Sequence, residues 1–433
     1  MRALPIFLSC IVGTAPVIAN EALDILEGTT DPDSVILPPL PGEEGIEDTA
    51  PPVFVRPGWE ASPVMDDIWA RAVLFEDESN PWVQQLAVMG MLHWGGSWGT
   101  AEVEGGSNVN MDTTRTRRAR LGARLKMYGN TEIEAVGEFA GSGDFQRIER
   151  LKGRTQLMPN YYVDYGKFRP RFGIEQSRDP QQLLTPERTL LANMLMPSST
   201  LGVSFSQDCE PWSWSIGWFS ADTDRYMPGL EGNGMLVANL AYEAPERLES
   251  GEVVRTRWHL DYVHDLDGGG GESLPRYRVA GNRSANGGQP ILRNPAFRHL
   301  VSAGVEVEGE RMAFESDFQI ANGDLNAWGL TLTPSYWVIP GTLRVVGRYH
   351  YADTDTAGGL IGGLGVGSDP FYDTSPLFVG DEFHSFYLGA NLHLYQDKMV
   401  LLNGIEYSIM KDDAGGGFQT DAWIWHTGAR VSF

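Results

Sequence analysis

The chain has 433 residues, a formal charge of −24, 51 glycines and 11% aromatic residues. Its length admits either several soluble domains or one large all-β barrel. A mean hydropathy of −0.24, with no stretch after the N-terminus reaching the roughly 20 unbroken apolar residues of a spanning helix, excludes a helical membrane protein. The net acidity excludes nonspecific nucleic-acid binding through a net basic surface.

The N-terminus reads as an export leader. Arg2 precedes an apolar run from Ala3 to Val12, and Val17-Ile18-Ala19 supplies the small-residue pattern of a signal-peptidase site, which places the leader at residues 1–19. Cys10 falls within it, so the mature chain keeps Cys209 alone, and a single thiol makes no intramolecular disulfide. Residues 20–82 are then an acidic, Pro-rich periplasmic extension. From Asn20 to Asn80 there are fifteen acidic residues against Arg56 and Arg71, punctuated by Pro38-Pro39, Pro41-Gly42, Pro51-Pro52 and Pro57-Gly58. Such a segment forms little long regular structure; Met65 to Phe75 is its one helix candidate.

From Val83 the hydrophobic period is two. The spacing predicts strands over 84–97, 113–127, 131–140, 157–165, 168–174, 199–207, 211–220, 234–242, 253–264, 298–308, 310–320, 326–337, 341–351, 382–395, 398–410 and 420–433, of about the length that crosses a bilayer when tilted. In the last of these, Trp423, Trp425, Ala429, Val431 and Phe433 share an oily face while Ile424, His426, Arg430 and Ser432 share the other. The connections sort by parity. Short turns are expected at Gly129-Asn130, Gly166-Lys167, 207–210, Gly309, Pro340-Gly341 and Gln396-Asp397, and long loops at 141–156, 175–198, 221–233, 265–297 and 352–381. Outer-membrane barrels alternate in this way. Only a closed sheet satisfies every backbone donor and acceptor inside lipid, so the expected fold is all-β: a closed antiparallel transmembrane barrel of about sixteen strands over residues 83–433. At that size the interior holds water.

Charge on the inner face decides what such a pore prefers. The second strand carries the densest run, with Arg118, Arg120, Arg124 and Lys126 facing the lumen by parity and Arg115 and Arg117 on the outer parity. Alternation also turns Arg169, Arg171, Arg255, Arg257, Arg344 and Arg348 inward. These residues form a cationic wall suited to oxyanions, unless Glu132, Glu134 and Glu138 on the next strand consume the charge as cross-strand pairs.

Three segments carry a family resemblance: Arg118-Ala119-Arg120-Leu121-Gly122-Ala123, then Gly166-Lys167-Phe168-Arg169-Pro170-Arg171-Phe172-Gly173-Ile174-Glu175, and Thr185-Pro186-Glu187-Arg188 through Leu201-Gly202-Val203. They resemble the phosphate-selective porin family, the O/P type of Gram-negative outer membranes, best from about Arg115 to Gly217. The resemblance implies a sixteen-stranded, commonly trimeric channel whose third external loop folds into the lumen, with a phosphate site built from lysines on that loop. Here the corresponding loop contains Arg178 and Arg188 but no lysine, together with Glu175, Asp179 and Glu187. Arg178 is expected to pair with the neighbouring Asp179.

The C-terminal His426-Thr427-Gly428-Ala429-Arg430-Val431-Ser432-Phe433 looks like a barrel-assembly signal, with Gly428, Val431 and Phe433 its key positions. The eight histidines lack metal-ligand spacing, and Trp328, Trp337, Tyr349, Tyr351, Trp423 and Trp425 fit aromatic girdles. The resulting expectation is an outer-membrane porin passing small hydrophilic solutes, anions such as phosphate foremost. It needs no cofactor and performs no enzymatic step; its partners are outer-membrane lipids, the barrel assembly machinery, small anionic solutes and two further copies in a homotrimer. The alternatives are a general or weakly cation-selective porin and a non-conducting structural or adhesive barrel.

Overall fold

Strict alternation of oily and wet side chains leaves one way to keep both environments content: a sheet rolled until its edges meet. The computed structural model shows that arrangement. It describes residues 62–433 apart from 107, 140–142, 196–198, 223–225, 231, 248–252, 267–296, 324, 357, 363–377 and 414–416. The expected leader and most of the acidic extension lie outside the described residues.

The chain enters through a helix, α1 (Pro63–Ala70), and a short strand, β1 (Val73–Glu76). The first half of the wall follows as β2 (Val83–Val103), β3 (Val109–Met127), β4 (Thr131–Glu138), β5 (Arg147–Met158), β6 (Tyr161–Phe168), β7 (Thr200–Cys209), β8 (Trp212–Phe219) and β9 (Met235–Arg247). The second half is β10 (Val253–Asp265), β11 (Phe297–Glu308), β12 (Met312–Gly323), β13 (Asn326–Ile339), β14 (Leu343–Thr354), β17 (Glu382–Tyr395), β18 (Met399–Asp412) and β19 (Phe418–Ser432). Each of these pairs antiparallel with its chain neighbour, and β19 pairs with β2 to close a barrel of sixteen strands. A small hairpin, β15 (Leu360–Gly362) with β16 (Phe378–Gly380), lies in the connection between β14 and β17.

Closure uses the last residue. The Phe433 N–H donates to the Gly90 carbonyl and the Gly90 N–H to the Phe433 carbonyl, both at 2.9 Å. Gly90 is required here, because a Cβ at that position would lie 2.1 Å from Cζ of the Phe433 ring. Beyond the end of β19, the free edge of β2 pairs with β1 (Val73 opposite Ala87, Glu76 opposite Gln85), which covers an otherwise open ladder. The Trp69 indole of α1 donates to the Ser432 carbonyl at 2.6 Å and its ring packs on Tyr395 at 4.8 Å.

Exposed side chains form the outer face: Leu92, Trp94 and Leu121 on β2 and β3, Trp258 and Leu260 on β10, Leu388 and Ile405 on β17 and β18, Trp423 and Trp425 on β19. The inward positions combine polar residues, among them His350, Ser302, Ser385 and Arg430, with an apolar band that includes Val237, Leu300 and Ala352.

Two expected strands move. Residues 147–156, read as external loop, belong to β5, and 168–174, read as strand, leave the wall. Alternation fails in β5 because a bulge sets Val136 opposite Arg150 but Gly137 opposite Ile148, which carries the pattern across one extra residue. Gly166-Lys167 is not a turn: both residues sit inside β6, paired with β5 and β7. A second bulge, between His93 and Trp94, has Arg118 opposite His93 and Thr116 opposite Trp94. It turns Arg117 inward, against the outer parity expected for it. Trp337 also differs from expectation: it is buried and packs on His393 at 4.9 Å rather than joining a girdle.

Candidate pore constriction

After Phe168 the chain leaves the wall and does not return until Thr200. The intervening loop, third in order on its side, contains α2 (Ile174–Ser177), a 3-10 turn (Pro180–Gln182) and α3 (Leu190–Met194). Its apolar residues Phe172, Leu191, Met194 and Leu195 are buried in the same cluster as wall residues such as Val237, Leu300 and Ala352. The loop is therefore inside the barrel.

Polar groups of the wall hold it along its length. At its start Asp261 of β10 accepts the Gly173 N–H at 2.8 Å and Asp317 of β12 accepts the Ile174 N–H at 2.9 Å. Gly173 has φ +71, and a Cβ there would meet Gln319 Nε2 at 2.3 Å, so the seat admits only glycine. Arg178 reaches the opposite wall, pairing with Glu315 at 2.6 Å and with Glu306. The expected Asp179 partner is engaged elsewhere, with Arg150 at 3.1 Å.

The loop's middle rests on arginines. Arg430 donates to the carbonyls of Leu183, Thr185 and Pro186, and Arg348 to Thr185 Oγ1 at 2.7 Å and the Glu187 carbonyl at 2.8 Å. The Glu187 carboxylate meets Arg117 at 3.0 Å and Arg118 at 3.1 Å. Burial pushes this carboxyl up, but the two guanidiniums outweigh that and hold it well below the usual carboxylate range. Arg188 closes the loop on itself, donating to the carbonyls of Glu175 at 2.7 Å and Arg178 at 2.9 Å, while Glu175 accepts from the Thr189 N–H and hydroxyl.

Among the described residues, two cavities can be traced beside the loop. One, of about 410 Å³, opens among the short turns and is lined by seven carboxylates against six arginines among the described residues. Arg255, Arg257 and Arg344 face it. Arg255 pairs with Glu308 at 2.8 Å and Glu243 at 3.3 Å, and Arg257 lies 3.5 Å from Glu306. Arg344 donates to Ser335 and stacks over Trp337. The other cavity, of about 240 Å³, lies between the loop and the wall from β3 to β9. Six cations line it against Glu149, Asp164 and Asp179 among the described residues. Six residues line both cavities: Arg171, Ser177, Arg178, Gln182, Ser215 and Asn239. Among the described residues this shared neck has two arginines and no carboxylate.

Of the remaining expected residues, Arg120 pairs with Glu138 at 2.7 Å and Glu149 at 2.8 Å, and Arg169 with Glu149 at 3.4 Å. Arg124 lies opposite Glu134, which instead binds Arg150 at 2.6 Å, and Arg124 Nε has no hydrogen-bond partner among the described residues. Lys126, opposite Glu132, is exposed. Arg171 is exposed to the lumen and makes no ion pair among the described residues. Both Arg169 and Arg171 sit on the inward loop rather than on a strand. Gly428 and Val431 lie opposite Gly95 and Leu92 across the closing seam.

The sequence reading missed the inward row of β5, namely Arg147, Arg150, Lys152 and Arg154, because it assigned those residues to a loop. It also missed Arg430 as an anchor, although the inner parity of the last strand marks it.

The family of phosphate-selective porins O and P matches residues 95–252. No curated protein matches the chain. Solved structures similar to it include an anion-selective porin from Comamonas acidovorans (12% identity over 80% of this chain and 99% of that one, TM-score 0.49). Pseudomonas putida OprB is similar to the same extent (12%, 80% and 94%, TM-score 0.49). The outer membrane channel DcaP of Acinetobacter baumannii follows (12%, 83% and 100%, TM-score 0.46). The chain is thus a closed barrel of sixteen strands with an inward third loop, similar over residues 95–252 to the phosphate-selective porins O and P.

Proposed function

We propose that this barrel is a porin of the Gram-negative outer membrane, an anion-leaning diffusion channel whose selectivity resides in the cation-rich cavity under the third loop and in Arg171 at its neck. The observation that carries this reading is the excess of cations over carboxylates lining that cavity, six against three among the described residues. Fixed charge of one sign in a narrow, low-dielectric passage raises the local concentration of the opposite ion. Arg171 acts there as the exposed cation, and Lys152, Arg120 and Arg169 add charge that is shared with Asp164, Glu138 and Glu149. Arg178, Arg188 and Arg348 hold the loop, and Arg118 clamps it through Glu187. Arg255, Arg257 and Arg344 line the larger cavity, and Arg124 and Lys126 continue the cationic row of β3. Transport follows the gradient, with no chemical step and no cofactor.

Phosphate is one solute of this class. Of the loop arginines, Arg178 and Arg188 are committed to carboxylates and carbonyls, so selection among anions falls to the wall and to Arg171 at the neck. Homotrimer assembly, and recognition of Gly428, Val431 and Phe433 by the assembly machinery, belong to the same reading. The balance of seven carboxylates to six arginines in the larger cavity favours the second reading, a general porin with weak preference.

Zero-current potentials across planar bilayers in a potassium chloride gradient test the two. Anion-signed potentials support the first reading, and Arg171→Gln lowers them; cation-signed or zero potentials reject it. Chemical cross-linking of the detergent-extracted protein reads the trimer.

A further inference from the structure

The small cavity has two unlike halves. One half carries the cations, Lys152 and Arg150 from β5 and Arg171 from the loop; Lys152 pairs with Asp164 at 2.9 Å and Arg150 with Glu134 and Asp179, while Arg171 makes no ion pair among the described residues. The other half comes from β7, β8 and β9 and contributes Ser204, Ser206, Ser215 and Asn239 with no charged residue among those described. The serines are lumenal by alternation, since Val203 and Ile216 beside them are exposed on the outer face.

Two uncharged polar atoms in this lining lack hydrogen-bond partners among the described residues. Ser206 is 5% exposed and Gln176 4% exposed, and neither Ser206 Oγ nor Gln176 Oε1 has a hydrogen-bond partner among the described residues. Both residues line the cavity. A buried polar atom left unmade carries a penalty that a ligand relieves. Had the cavity served bare anions alone, cations would suffice; a hydroxyl row with an unmatched Ser206 and an unmatched amide oxygen on Gln176 adds capacity for a neutral polar body.

We infer that this cavity is a subsite for anions that carry a polyhydroxylated body, the class of sugar phosphates. The phosphate lies against Lys152 and Arg171, and the sugar hydroxyls exchange hydrogen bonds with Ser206, Ser204, Ser215 and the Gln176 amide oxygen. A hydroxyl both donates and accepts, which is what an acceptor such as Gln176 Oε1 and a serine row together match. The inference rests on the anion-leaning reading and adds the neutral half to it.

The test is block of chloride current through single channels by glucose 6-phosphate, inorganic phosphate and glucose, each titrated at one ionic strength and pH. Glucose 6-phosphate is expected to reach half-block at a concentration about tenfold below phosphate and below glucose, the size of one or two net hydrogen bonds. Ser206→Val is expected to raise the half-block concentration of glucose 6-phosphate and leave that of phosphate unchanged; Lys152→Gln raises both. Equal half-block by phosphate and glucose 6-phosphate overturns the proposal, as does a Ser206→Val shift common to both ligands. If Ser206→Val forms no channels, Ser215→Ala gives the same comparison. The zero-current potential read in the same chamber separates the two failures: anion-signed potentials with no preference for the sugar phosphate reject the subsite alone, while cation-signed potentials reject the anion reading as well.

Discussion

Replacing Glu187 by Gln removes the charge that fixes the third loop to β3. Its carboxylate meets Arg117 and Arg118 at 3.0 and 3.1 Å, and all three side chains are 10% exposed or less. Breaking a buried pair from one side leaves uncompensated guanidiniums, which costs about 3–5 kcal/mol. Such a cost is enough to shift a local open-closed equilibrium by roughly a hundredfold or more. The loop keeps its other ties, Arg430 and Arg348 to its carbonyls and Asp261 and Asp317 to its first turn, so the barrel is expected to stay folded while the loop's middle loosens. Single-channel recording of Glu187→Gln should then show larger mean conductance and added open-channel noise relative to wild type, with the heat-sensitive gel mobility of the folded barrel retained. Unchanged conductance and noise in a folded variant would refute the clamp. The pH dependence follows from the same group. A carboxyl whose folded-state pKa is depressed contributes stability above its ordinary pKa and loses it only as pH falls through the depressed value. Wild-type conductance is therefore expected to stay flat from neutrality down to about pH 4, where ordinary carboxylates titrate.

Arg171→Gln removes a lumenal cation with no ion-pair partner among the described residues, so anion preference should fall more at low salt than at high salt, as screening shortens the reach of exposed charge; equal loss at both would assign the selectivity elsewhere. Gly90→Leu forces side-chain atoms into the Phe433 ring and is expected to destabilise the closing seam by about 1–3 kcal/mol, read as a lower unfolding temperature on gels; an unchanged temperature would show that the ring moves aside freely. Gly173→Ala collides with Gln319 at a positive φ and should raise open-channel noise as Glu187→Gln does, with quiet channels counting against the seat described for the loop. Trp69→Ala loses a 2.6 Å hydrogen bond to Ser432 and the packing on Tyr395, so limited proteolysis should cut near Arg71 while the barrel band persists; resistance equal to wild type would mean that β1 alone holds the segment.

Where alternation is unbroken, the strands were legible in the sequence. On β12, Phe314 and Phe318 face out and Glu315, Asp317 and Gln319 face in, as period two requires. The reading failed where a bulge inserts a residue. Ile148 and Leu151 are both outward, three apart, and Glu149 and Arg150 are both inward; a scan for period two sees only a charged stretch and assigns a loop. The same event at Arg117 reversed its expected side. The site suffered more than the fold, because inward arginines on the second strand are visible as a pattern whereas their partners are not. Arg178 pairs with Glu306 and Glu315 across the barrel, 128 and 137 residues away in sequence, and only the closed barrel brings them within reach.

That reach also explains how one wall serves two purposes. A loop folded into water has backbone groups to satisfy and no lipid or sheet to satisfy them, so the wall must supply donors and acceptors where the loop lies. Arg430, Arg348, Asp261, Asp317 and Asn391 do so on the side from β10 to β19. On the side from β3 to β9 Arg150 holds the loop through Asp179, but the loop also leaves a cavity there, lined by Lys152 paired with Asp164, by Arg171 and by the serines of β7 and β8. Charge that looks uniform along the sequence is thereby divided by the loop's position into groups that hold it and groups that meet a solute. Moving the loop would exchange those roles, which is why the Glu187 clamp and the solute preference are expected to change together in the same variant.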